Sequence, residues 1–139
     1  MIAIIIGTHG KFSGELLKSS EMIFGKQENI EYVTFEPGES PDDLVKKYES
    51  AIEKLDLKKG LIFMVDLFGG SPFNAASRIA INNDNIDIVS GVNLPMLLEV
   101  FTVRDDKCLD EVINIAVESG RLAIKSFKSN FKDNEEEEL

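Results

Sequence analysis

The sequence contains little of what secreted, membrane-spanning or nucleic-acid-binding proteins use. Its one cysteine, Cys108, cannot close an intrachain disulfide or build a paired-thiol metal or redox site. We expect Cys108 to be an incidental residue at a helix start, in a reducing compartment. The apolar run 2–6 is too short for a signal peptide and lacks a basic start, and no later run reaches the length of a membrane span. The sequence therefore predicts a cytoplasmic protein.

Positive charge is also scarce. The 139 residues include 15 Lys and Arg against 25 Asp and Glu, which gives a net charge of −10. Nucleic acids and anionic membranes bind clustered Lys and Arg, so we expect neither as a partner. The length fits one domain, which we place at 1–128. The remainder, 129–139, ends in acidic residues, and we expect it to be a disordered tail.

Segments typical of strands alternate with segments typical of helices. The runs 1–6 and 61–65 are continuously apolar, which is typical of strands buried on both faces of a parallel sheet. The runs 30–35 and 86–89 mix polar and apolar residues and so belong further out. The pattern predicts an α/β fold with a doubly wound, mainly parallel open sheet in the order 2-1-3-4.

Helix signals separate the predicted strands. Ser40 before Pro41 starts the second helix, and Asn93 with Pro95 opens the fourth. Ser71 before Pro72 predicts a capped third helix. The buried face expected for the first helix contains Leu16, Leu17, Ile23 and Phe24.

The last helix is expected to stop near Gly120. The segment that follows it, 121–128, has no clear period. It fits either a continued helix or an antiparallel edge strand.

The polar residues of interest lie at the ends of the two predicted central strands. Ligands of open α/β sheets bind beyond the carboxyl ends of the strands, where the strand order reverses. Here the first strand is followed by the turn 7–10, with the only histidine, His9, and the third strand by Asp66. The predicted strand order therefore places His9 beside Asp66.

This pair suits nucleophilic attack on phosphorus. Neutral imidazole is available near neutral pH, and a carboxylate that accepts one ring N–H fixes the tautomer and stabilises the developing cation. If Asp66 holds Nδ1, Nε2 is the phosphoryl acceptor. The glycines before Ser71 lead into a helix N-terminus, whose free N–H groups suit an anion. Gly70 and Ser71 are therefore candidate phosphate-binding residues.

Several motifs together resemble one family. The turn 7–10 after an Ile-rich strand, and the segments 35–39, 65–66, 69–76 and 91–97, are similar to mannose-family EIIA domains of the bacterial phosphoenolpyruvate-dependent sugar phosphotransferase system. The resemblance covers about residues 1 to 128. It implies a phosphotransferase component that needs no cofactor or metal. His9 would be phosphorylated, Asp66 would orient it, and Gly10, Gly70 and Ser71 would hold the phosphate.

The resemblance also implies partners. His9 would receive the phosphoryl group from HPr and pass it to a histidine of EIIB, which phosphorylates sugar arriving through the membrane subunits EIIC and EIID. Because this sequence stops in an acidic tail, we expect EIIB on a separate chain. Family members are homodimers that exchange a carboxyl-terminal antiparallel edge strand, which would make 121–128 a strand. Phe12, Phe35 and Phe68 are candidate docking residues, with Phe68 the best placed and Phe35 more suited to covering the core.

Three other readings fit part of this pattern. A hydrolase could use Ser71 with His9 and Asp66, although Ser71 is not in a Gly-x-Ser-x-Gly elbow. A receiver-like domain could be phosphorylated on Asp66, but the first strand is not followed by the acidic pair that binds its metal. A flavodoxin-like module would need a hydroxyl-rich first loop, and this loop offers only Thr8 and Ser13.

Overall fold

A computed structural model describes residues 1–131, and strands alternate with helices along them. The strands are β1 (Ala3–His9), β2 (Ile30–Phe35), β3 (Leu61–Val65) and β4 (Ile86–Val89). The helices are α1 (Phe12–Phe24), α2 (Pro41–Glu53), α3 (Gly70–Ala80), α4 (Leu94–Val103) and α5 (Leu109–Leu122). None of the helices described is long and apolar enough to cross a membrane.

The strands form one parallel sheet in the order β2-β1-β3-β4, which confirms the predicted fold class and order. All five residues of β3 and the first six of β1 are buried, because both strands are covered on both faces. The edge strands β2 and β4 contain half-buried and exposed positions. Hydrophobicity alone therefore identified the two central strands.

Side chains of β1 alternate between two cores, one on each face of the sheet. Ile4 and Ile6 pack with residues of α1, α4 and α5, whereas Ala3 and Ile5 pack with residues of α2 and α3. Gly7 continues the second series, since a side chain there would meet Tyr48 of α2. By the same alternation His9 belongs to the α2–α3 face.

The predicted buried face of α1 is wrong at its carboxyl end. Leu16 is buried, but Ile23 is exposed and Phe24 is nearly half exposed, with its ring edge on Phe101 at 5.6 Å between centroids. The helix approaches the sheet closely through small residues, Ser13, Gly14 and Ser20. This turns Ile23 toward solvent.

The third helix begins earlier than predicted. Gly69 occupies the N-cap position and Gly70 the first helical position, so Ser71 lies inside the first turn and is not the cap. Both glycines have left-handed backbone, with φ of 103° and 80°. The chain thus enters α3 through two glycines, without a side-chain cap.

Helix α5 runs through Gly120 and ends at Leu122, two residues beyond Gly120, which agrees with the predicted stop near that residue. Gly120 is buried against α4, and a Cβ there would lie 2.8 Å from Met96 Cε. Its role is close helix packing.

Among the residues described for this single chain, the segment 121–128 forms no strand. Arg121 and Leu122 complete α5, 124–126 have no regular structure, and 127–131 are helical. Residues 129–131 of the predicted disordered tail thus have helical backbone. The rest of that tail, 132–139, lies outside the described residues.

Candidate functional site

His9 is the last residue of β1, which extends three residues beyond its predicted end. It pairs in register with Phe35 at the end of β2, and its side chain is about half exposed, at 47%. Gly10 follows with φ of 59°, which turns the chain toward α1. The strand therefore delivers the imidazole to the carboxyl edge of the sheet.

Asp66 follows β3 and holds His9 by two contacts. Its Oδ2 accepts a hydrogen bond from the His9 backbone N–H at 3.0 Å and lies 2.9 Å from His9 Nδ1. Its Oδ1 accepts from the Leu67 N–H at 3.1 Å. An ionised carboxylate only accepts hydrogen bonds, so this network assigns the imidazole proton to Nδ1. The predicted juxtaposition of His9 and Asp66 is present.

The other imidazole nitrogen faces the start of α3. A Cβ built on Gly70 would lie 3.3 Å from His9 Cε1 and 3.6 Å from Nε2. The backbone of α3 can reach this ring closely only because residue 70 has no side chain. In the assigned tautomer, Nε2 has a free lone pair and lies beside the start of α3.

The first turn of α3 offers unused donors beside Nε2. Within residues 1–131, the N–H groups of Gly70 and Ser71 have no acceptor. Glycine at the N-cap position has no side chain that could accept from them. The positive end of the helix dipole adds to them. This end of α3 can accept an anion next to the imidazole.

Two of the predicted roles need adjustment. The N–H of Gly10 donates to the Phe35 carbonyl at 2.8 Å, so it is not free to bind phosphate, and Gly10 serves the turn instead. Among the described side chains, Ser71 makes no hydrogen bond to the His9 ring. The nucleophile-to-base contact that a Ser71 hydrolase needs is therefore not formed.

Neither Phe35 nor Tyr48 was assigned from sequence a role in supporting His9 or the start of α3. The Phe35 ring stands edge-on to His9, at 6.0 Å between centroids and 82° between planes. Tyr48 is fully buried beneath Gly7 and donates its hydroxyl to the Pro72 carbonyl in α3 at 2.9 Å. Burial, followed by the charge of Asp66, raises the pKa of Tyr48, so the phenol remains a donor. In the sequence, the only signal for the role of Tyr48 was a glycine in a strand together with an aromatic residue in a helix that covers this strand.

Two exposed aromatic residues follow the strands that position His9 and Asp66. Phe68 is 82% exposed and packs on Phe73 at 4.6 Å between centroids, whereas Phe12, at the start of α1, is 48% exposed. Two of the three predicted docking residues are thus exposed, whereas Phe35 is half-buried and packs against the core on the α2–α3 face. In the described part of the chain, no three His, Cys, Asp or Glu residues are grouped so that they could hold a metal ion.

The chain is similar to components of sugar phosphotransferase systems. The family model described as "PTS system fructose IIA component" matches residues 3–117. The mannose-specific EIIAB component of Escherichia coli is 48% identical over 129 residues, which cover 92% of this chain and 40% of that protein. The chain thus spans less than half the length of that relative.

Two shorter proteins match over most of their length. The fructose-specific EIIA component of Bacillus subtilis is 40% identical, with 82% of this chain and 78% of that protein covered. The crystal structure of an EIIA component from Streptococcus agalactiae superimposes with a TM-score of 0.84 and 31% identity, covering 93% of this chain and 99% of that one. The chain therefore belongs to the mannose- and fructose-type EIIA family of the sugar phosphotransferase system.

Proposed function

We propose that this chain is a cytoplasmic phosphocarrier that accepts a phosphoryl group on His9 Nε2 from phosphorylated HPr and donates it to a histidine of EIIB. The observation that supports this most is the contact of 2.9 Å between His9 Nδ1 and Asp66 Oδ2. It holds the proton on Nδ1 and leaves Nε2 as the nucleophile. Through EIIB, the group would reach sugar entering by the EIIC and EIID subunits.

In the proposed transfer, one bond to phosphorus forms as another breaks, and no cofactor or metal takes part. The lone pair of Nε2 forms a bond to phosphorus as the N–P bond of the HPr phosphohistidine breaks, and the donor imidazole leaves with that electron pair. Nδ1 keeps its proton, and Asp66 stabilises the positive charge that develops on the ring. The transfer to EIIB is the same step with this chain as donor.

Phosphoryl transfer depends mainly on positioning and charge stabilisation. We assign the equatorial oxygens to the N–H groups of Gly70 and Ser71, which lie at the positive end of α3 and are unpaired within the described residues. The Ser71 hydroxyl adds a third donor in the same turn. Gly10 contributes the turn that follows His9.

The first test is phosphorylation by phosphoenolpyruvate, enzyme I and HPr, followed by intact mass. We expect one phosphoryl group on the wild type, labile in acid and stable in alkali, and none on His9→Ala. An alkali-labile group would indicate an acyl phosphate on Asp66. No transfer to folded wild type from a competent HPr would refute the proposal, and a fluorophosphonate probe on Ser71 would then test the hydrolase.

A second test concerns Asp66. We expect Asp66→Ala to remain folded and to accept phosphate at least about 10-fold more slowly, because the tautomer and the developing charge are no longer supported. Nitrogen NMR of the phosphorylated wild type should place the group on Nε2. An unchanged rate would remove Asp66 from the mechanism, and phosphate on Nδ1 would contradict the assignment.

Docking is proposed to use the exposed aromatic residues. Phe68 and Phe12 lie at the same end of the sheet as His9 and present apolar surface to HPr and EIIB. We expect Phe68→Ala to raise KM for phosphorylated HPr more than Phe12→Ala does. Ile81→Ala is the matched control, since Ile81 is 79% exposed but follows the far end of α3. Equal effects of Phe68→Ala and Ile81→Ala would contradict this docking site.

We also propose a homodimer in which the segment 121–128 covers the outer edge of β4 in the partner. In this chain β4 is an edge strand beside a groove of about 430 Å³, and Ile124 is 82% exposed. An uncovered edge is a site for strand pairing. Ile124→Asp should then shift sedimentation from dimer to monomer, with Met22→Asp as the control, since Met22 is 89% exposed on α1 and lies outside the segment. A monomeric wild type would rule the dimer out.

A further inference from the structure

We propose that Thr8 is a positioning residue for His9, acting from the opposite face of the sheet through the first turn of α1. The inference rests on the proposed function, because it assigns Thr8 a part in phosphoryl acceptance. Thr8 is adjacent to His9 in β1, so the alternation of the strand directs the two side chains to opposite faces. Thr8 therefore faces α1 and has no access to the phosphoryl group.

The Thr8 hydroxyl replaces a missing helix cap. The N-cap position of α1 is Lys11, whose side chain makes no capping hydrogen bond. Instead, Thr8 Oγ1 accepts from the Ser13 N–H at 2.7 Å, five residues along the chain. Both residues are buried, at 1% and 0% exposure, so water does not substitute for this bond.

A second bond extends the clamp to β2. The Ser13 hydroxyl donates to the Val33 carbonyl at 2.8 Å. Thr8, Ser13 and Val33 thus form a buried chain that ties β1, α1 and β2 together; we call it the Thr8 clamp. The turn that the clamp closes, 9–12, contains His9.

Two other hydrogen bonds hold this turn, one to Asp66 after β3 and one to the end of β2. The His9 N–H is held by Asp66, and the Gly10 N–H is held by the Phe35 carbonyl at 2.8 Å. Without the clamp, the α1 end of the turn has no side-chain anchor, and the backbone of His9 can move relative to Asp66. Since small displacements of reacting groups reduce rates strongly, the clamp should matter for transfer.

The test compares Thr8→Val, which keeps the shape and removes the acceptor, with Thr8→Ser, which keeps the hydroxyl. Thr34→Val is the matched control, since Thr34 is the register partner of Thr8 and its hydroxyl lies 3.4 Å from Lys47 Nζ, outside the clamp. Each variant is assayed for phosphoryl acceptance from HPr and for the imidazole nitrogen signals of His9 by NMR.

We expect Thr8→Val to accept phosphate about 10- to 100-fold more slowly and to shift the Nδ1 signal. Thr8→Ser and Thr34→Val should match the wild type in both. If Thr8→Val does not fold, Thr8→Ala replaces it, since it also removes the hydroxyl that accepts from the Ser13 N–H. A folded clamp variant with a wild-type rate, or with unshifted His9 signals, would overturn the inference. If the wild type itself accepts no phosphate, the proposed function fails, and the nitrogen signals alone still test whether Thr8 positions the ring.

Discussion

Replacing Gly7 by alanine should destabilise the fold because Tyr48 occupies the space of the missing side chain. A Cβ on Gly7 would lie 2.1 Å from Tyr48 Oη and 2.9 Å from Cε1 and Cζ. Carbon atoms in good contact lie about 3.5–4.0 Å apart, so the new Cβ would be about 0.6–1.1 Å too close to Cε1 and Cζ, and closer still to Oη. Tyr48 is 0% exposed and bonded to Pro72, so its ring has little room to withdraw.

The size of the effect follows from three terms. Overpacking costs about 1–3 kcal/mol. Displacing the phenol loses a hydrogen bond worth about 1 kcal/mol. Because Gly7 is not among the glycines with positive φ, alanine gains back about 0.4–1 kcal/mol from the unfolded chain. The net expectation is a loss of about 1–3 kcal/mol for Gly7→Ala.

A double-mutant cycle with Tyr48→Phe separates this clash from a general loss of stability. Phenylalanine lacks Oη and removes the shortest overlap, so the double variant should be more stable than the sum of the two single effects by about 1 kcal/mol or more. Urea unfolding monitored by circular dichroism measures all four proteins. Strictly additive effects, or a Gly7→Ala protein as stable as the wild type, would refute the reasoning.

Three further predictions concern other parts of the molecule. Arg104, 1% exposed, donates to the carbonyls of Ile2 and Asn29, so Arg104→Met should lower the free energy of unfolding by about 2–4 kcal/mol in urea; a loss under about 1 kcal/mol would contradict this. Gly120→Ala should change stability by less than about 1 kcal/mol, since only a methionine tip must move and alanine favours the helix; a calorimetric loss similar to that of Gly7→Ala would contradict it. Hydrogen bonds from the backbone and side chain of Ser40 lower the pKa of Asp43, so the ionised carboxylate stabilises the fold above the unfolded-state pKa of 3.8, and this contribution is lost as pH falls through the lower folded value. Asp43→Asn should therefore make the free energy of unfolding less dependent on pH in the acid range, and an unchanged pH dependence would argue against this.

The central features of the fold could be predicted because they depend on local composition. Continuous apolar runs identified β1 and β3 as the inner strands, and the strand order then placed His9 beside Asp66. The Ser40-Pro41 signal also predicted α2 correctly, and Ser40 and Asp43 form a reciprocal capping box there. In each case the residues that carry the signal are close in sequence to the element they specify.

Other features could not be predicted because the same residue type can have more than one structural role. Gly120 correctly marked the end of α5 to within two residues, but it also makes room for Met96, which lies 24 residues earlier and cannot be paired with it from local sequence. Serine is a residue type that often caps helices, but the two glycines before Ser71 start α3, so Ser71 lies in the first turn. Tyr48 lies in the predicted second helix, but its hydrogen bond to Pro72 depends on the packing of α2 against α3.

The turn 7–10 illustrates how strand alternation divides one short motif among different tasks. Gly7 and His9 face the α2–α3 side, where the first makes room for Tyr48 and the second meets Asp66 and the start of α3. Thr8 faces the other side and holds α1. A shift of β1 by one residue would exchange these faces, placing threonine over α3 and histidine against buried Ser13. The site therefore requires the observed register of β1 with β3, in which Ala3 lies opposite Leu61 and Gly7 opposite Val65.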